Sequence, residues 1–165
     1  MKKNLFTHSD GFGFTIIEMM VVLAVISILS LLALPSFYFR QVQEQIQAIT
    51  PLTTVAEAPV AAAWTLNQIL PADNTAAGLP IANKMVGNYV SSVQIQNGAV
   101  NVTFGNRAAN VLNGKILTFR PAVVSDSPIV PVTWVCGNAA APKNMTIMGA
   151  NQTNIAPNYL PPNCK

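Results

Sequence analysis

Between Glu18 and Arg40 lie 21 consecutive uncharged residues, Met19 to Phe39, broken in polarity only by Ser27, Ser30 and Ser36. As an α-helix this run is about 31 Å long at 1.5 Å per residue, which matches the hydrocarbon thickness of a bilayer. Lys2 and Lys3 sit on its N-terminal side and favour keeping that end in the cytoplasm, with the bulk of the chain outside. A secretory signal peptide would carry a shorter apolar stretch and then a small-residue cleavage site. Here Pro35-Ser36-Phe37 runs straight into Tyr38, Phe39 and Arg40. A plain signal-anchor helix accounts for the length. It leaves unexplained the carboxylate of Glu18 at the start of the helix and the short polar leader that ends in Gly13.

The rest of the chain narrows the function by what it lacks. At 165 residues there is room for one modest domain plus an appendage. Part of the 51% hydrophobic content and of the mean hydropathy of +0.39 is local to the long run. The net charge is +3, but Arg40, Lys84, Arg107, Lys115, Arg120, Lys143 and Lys165 are spread singly, whereas a nucleic-acid binder clusters its cations. The single histidine, His8, lies in the leader, so beyond Gly13 no Ser-His or Cys-His dyad can form. The acids Glu18, Glu44, Glu57, Asp73 and Asp126 are isolated, and no phosphate-binding glycine loop is recognisable. The reading is a protein that is not an enzyme, with no cofactor. Two sulfurs without a histidine make a metal site improbable. If the chain is exported, Cys136 and Cys164 suggest one disulfide; two buried free thiols are the alternative.

The string GFTIIEMMVVLAVISILSLLALP, residues 13–35, resembles the N-terminal signature of type IV prepilins. The resemblance implies that a membrane prepilin peptidase cuts after Gly13 and N-methylates Phe14. Cutting after Gly11 instead would place Glu18 seventh in the mature chain, where the family has it fifth. A lone carboxylate near a bilayer interior costs on the order of 3 kcal/mol and marks function. Phe14 and Glu18 are four apart, a spacing that places two helical residues on one face. The resemblance implies that Glu18 pairs with the Phe14 amine of a neighbouring subunit, neutralising both charges and setting register. The plainer alternative is an acid that complements the helix dipole. Pro35 falls where the family places a kink or a melted stretch; a kinked membrane helix fits the residues equally well.

Beyond Arg40, Val42, Ile46 and Ile49 recur with helical period among glutamines, and Val60 to Ala63, Trp64 and Leu66 extend the pattern to about Leu70. Kinks are expected at Pro51 and Pro59, and an end at Pro71. Residues 72–88 read as a loop. Val93 and Ile95 alternate before Asn97-Gly98, and Val100, Val102 and Phe104 after it, which predicts a hairpin. Third and fourth strands fit Lys115–Arg120 and Pro131–Cys136. The tail from Gly137 is expected to be loose unless a Cys136–Cys164 bond pins it. WVCG and YLPPNCK resemble the disulfide-bounded C-terminal loop of type IV pilins.

The expected fold is therefore α+β, a long N-terminal hydrophobic helix packed by its second half on a four-stranded antiparallel sheet. Its parts are a leader over 1–13, a transmembrane or filament-core helix over 14–39, an amphipathic helix over 40–70 and a head over 71–165. The resemblance implies an inner-membrane subunit that becomes part of an extracellular pilus. Its partners would be other pilin subunits, the prepilin peptidase and the inner-membrane assembly platform. Adhesion, twitching motility or DNA uptake would belong to the assembled machine. The alternatives are a DNA-binding minor pilin, which needs the head cations to converge, and a type II secretion pseudopilin.

Overall fold

A computed structural model describes residues 13–165, apart from the side chains of 33–36; most of the expected leader lies outside the described residues. The chain divides into two units, residues 1–38 and Phe39–Lys165. In the first, Ile16–Tyr38 is helical and every described large apolar side chain is exposed. Ser27 and Ser30 donate their hydroxyls to the carbonyls of Leu23 and Ile26, so the helix satisfies its own polar groups. Among the described residues this is part of the one helical stretch long and apolar enough to cross a membrane.

Helix α1 spans Ile16–Gln47 and α2 spans Thr50–Asn67. Pro51 has no N–H to give the carbonyl of Gln47, and the Thr50 hydroxyl donates to it instead at 2.7 Å. The expected kink near Pro51 is thus a two-residue break at Ala48 and Ile49. Pro59, by contrast, sits inside α2. Gln68 ends α2 in the left-handed region, φ 54°, donating to Trp64 O, so the helix stops earlier than the expected Pro71.

Four strands follow: β1 (Val90–Gln96), β2 (Ala99–Phe104), β3 (Ile116–Val123) and β4 (Thr133–Cys136). They pair antiparallel in sequence order. Asn97 and Gly98, φ 49° and 82°, make the β1–β2 turn. A fifth strand, β5 (Thr146–Ile147), pairs Val123 and Ala122 of β3 and was not expected from its two residues. β3 also runs past its expected end. Pro121 falls between Phe119, the last partner of β2, and Ala122, the partner of β5, where a missing N–H costs little.

One core joins the helices to the sheet. Val42, Ile46 and Ile49, then Ala56, Val60 and Trp64, continue a single buried stripe onto Val93, Ile95, Val100, Val102, Phe104 and Leu117. Leu66, expected on that stripe, is 78% exposed. Gln45 is buried and accepts the Ala109 N–H at 2.8 Å, tying α1 to the segment after β2. The outer edge of β1 is closed by Asn74. Its Oδ1 accepts from Ile95 N–H at 2.7 Å, and its Nδ2 donates to the carbonyls of Val93 and Pro80 at 2.9 Å. One buried side chain thereby replaces part of a neighbouring strand.

Candidate functional site

The start of α1 is organised by Thr15. Its Oγ1 accepts the Glu18 N–H at 3.3 Å, and its carbonyl accepts from Met19. Thr15-Ile16-Ile17-Glu18 has the spacing of a capping box, a local signal that the sequence carries beside the more conspicuous charge of Glu18. Because Thr15 caps the helix, Phe14 and Gly13 precede it. The four-residue spacing therefore does not by itself put Phe14 and Glu18 on one helical face. Phe14 is 73% exposed and Glu18 is exposed, so both are open to a neighbour. Pro35 lies within α1, whose helical assignment continues through it.

Cys136 and Cys164 form a disulfide with Cα atoms 4.6 Å apart. The bond joins the end of β4 to the last turn of the chain. Gly137, φ 55°, sits against the carbonyl of Cys164, where an added Cβ would come within 2.6 Å. The tail between the cysteines is held by more than the bond. Met148 N–H donates to Pro121 O, and Gln152 N–H to the Thr118 hydroxyl. Thr118 and Ile116 in turn donate their backbone N–H groups to Thr153 Oγ1 and Asn154 Oδ1. The segment passes from the β5 side of β3 across to the β4 side, fastened by side chains. An expectation of looseness misses this, because each contact joins residues more than twenty-five positions apart.

The head cations include residues toward both ends of β3. Lys115 directly precedes the strand, while Lys143 precedes β5, which pairs the opposite end of β3 at Val123. Arg107 follows the end of β2, and Arg120 is half-buried with Nη2 donating to Gly137 O. Among the described residues, no three His, Cys, Asp or Glu side chains come together as a metal-ligand group.

One acid stands on α2, apart in sequence from both cysteines and from the start of α1. Glu57 is half-buried, and burial alone pushes its carboxyl up from 4.5 to about 7.

Residues 41–165 match the family model described as pilin, a bacterial filament, and residues 12–34 match the prokaryotic N-terminal methylation motif. The type IV major pilin protein PilE of Neisseria gonorrhoeae is 30% identical over 159 residues, covering 93% of each chain. A fimbrial protein of Neisseria meningitidis is 30% identical over 162 residues, again with 93% of each chain covered. The fimbrial protein EcpC of Eikenella corrodens is 30% identical over 158 residues, covering 93% of this chain and 90% of that one.

Proposed function

The chain belongs to the pilin family of bacterial filament subunits, as a type IV pilin, and from that premise we propose how it is processed and assembled. A prepilin peptidase removes residues 1–13 and methylates Phe14. The apolar part of α1 then holds the subunit in the inner membrane, head outward, until the assembly platform delivers it to the filament. There the helices of neighbouring subunits replace lipid around residues 14–39. The head from residue 40 onward forms the surface. The assembled pilus serves adhesion, twitching motility or DNA uptake, and the chain itself has no enzymatic step.

The observation that carries this reading is the described surface of α1 from Ile16 to Leu32, apolar on all sides apart from Glu18 and two self-bonded serines. Among the described residues nothing covers it, and lipid or other subunits are the cover this reading supplies. Glu18 is then the one charge at its start, and the methylated Phe14 amine of a neighbour is its complement. Pairing costs little where each group alone would be stranded in an apolar medium.

Substituting Glu18→Ala tests the pairing. The variant accumulates in the membrane with its disulfide formed, and filament incorporation falls at least tenfold. Filaments of normal yield and morphology from Glu18→Ala would rule the pairing out.

A further inference from the structure

Glu57 is the one charged residue of α2, on a helix otherwise built from apolar residues, threonines and an asparagine. It flanks the buried stripe of Thr53, Ala56, Val60 and Trp64 and is itself half-buried. No donor in the head reaches it. The Thr53 and Thr54 hydroxyls, one turn earlier, both donate to the carbonyl of Thr50, and a hydroxyl has only one proton to give. The strands on which α2 packs, β1 and β2, contain no titratable side chain. The neighbours on the solvent side, Thr54, Ala58 and Ala61, are short, so a long side chain from outside can approach. A half-buried carboxylate with neither donor nor counter-charge in its own head is left to solvent or to a second molecule.

The missing partner is abundant on the same molecule. From Arg40 onward the chain carries seven Lys and Arg against four Asp and Glu. In a polymer of identical chains every Glu57 is presented to heads with cations in excess. We propose that Glu57 is a subunit-contact site, at which the carboxylate of one copy receives a Lys or Arg side chain from the head of a second copy. This rests on the reading that the chain polymerises. A cation supplied by the neighbour completes the hydrogen bonding of the carboxylate and holds it ionised, whereas in the free subunit it is largely protonated below neutral pH.

The sign of the pH dependence follows. Free Glu57 titrates near 7, and the paired carboxylate titrates lower, so joining the filament releases a proton in the acid range. Each subunit contact then strengthens by about tenfold between pH 6 and pH 8, since the ionised fraction of a group titrating near 7 rises by that factor.

The test uses sheared filaments of the full chain. Resistance to dissociation in mild detergent is followed by sedimentation from pH 6 to pH 8, for the unaltered protein, Glu57→Gln and Glu57→Lys. The unaltered filaments become more resistant as pH rises. Glu57→Gln removes that rise, and Glu57→Lys lowers the filament yield at every pH while a disulfide-bonded membrane pool persists. If Glu57→Lys fails to accumulate, the pH profile of Glu57→Gln carries the test alone. Filaments more resistant at pH 6 would mean that the neighbour buries a neutral carboxyl, and identical profiles for Glu57→Gln and the unaltered chain would mean no contact; either overturns the proposal. Absence of any filament from the unaltered chain would instead overturn the polymerisation reading.

Discussion

Closing the edge of β1 falls to the amide of Asn74, which is buried and bonds to Ile95 N–H and to the carbonyls of Val93 and Pro80. Asn74→Leu keeps the branching and the number of heavy atoms and removes the donor and acceptor, leaving the outward groups of β1 without partners. The expected loss is about 2–5 kcal/mol, the penalty for stranding two or three buried polar groups, read as a lower urea midpoint of the full chain in detergent. An unchanged midpoint would show that water reaches this edge. Asn74 was legible only as one polar residue in a loop, because its partners on β1 are about twenty positions away and no local pattern links them. Glu18, by contrast, was conspicuous, since a charge beside 21 uncharged residues has no bland company. Its cap, Thr15, was equally local and went unread.

Among the elements, the β1–β2 hairpin was the most legible. Asn-Gly between two alternating segments states both the turn and the register, and the structure pairs Gln96 with Ala99 and Ile95 with Val100 as that demands. Tertiary packing adds a second constraint at Gly98, where a Cβ would come within 2.7 Å of Leu70 in addition to the positive φ. Gly98→Ala is therefore expected to destabilise by about 1–3 kcal/mol, with its effect on the thermal midpoint larger than at Gly114, whose φ is similar but whose surroundings are open. Equal effects at the two glycines would remove Leu70 from the explanation. The helices were legible in their buried stripe but not in their ends. Trp64 packs inward while Leu66, two residues on, points to solvent, because the period that places one turns the other away. β5 was illegible, since two residues carry no period, and its pairing fills the position beyond Pro121 that β2 leaves open.

At the scale of the whole molecule, the chain carries an apolar helical stretch, exposed from Ile16 to Leu32, and a head with one continuous core, closed at its end by the Cys136–Cys164 bond. The bond spans 28 positions, for which loop-closure entropy predicts roughly 3–4 kcal/mol. The double substitution Cys136→Ser with Cys164→Ser is expected to lose stability of that order. Limited proteolysis should then cut within 155–165 before 146–154, because the latter keeps its bonds to Thr118, Ile116 and Pro121. First cuts in 146–154 would show that the disulfide, not the side-chain fastening, holds the tail. The overall division was readable because membrane-length hydropathy and strand alternation are each periodic signals. The crossing of the tail was not, since it depends on contacts that only the folded sheet creates.

The intact mass of protein sheared from the cell surface, measured with and without reductant, tests together whether one chain is cut, exported and polymerised. The expected mass is that of Phe14–Lys165 carrying one added methyl group, two hydrogens lighter before reduction than after. Full-length chain found only in the membrane fraction, with none in the sheared fraction, would contradict it.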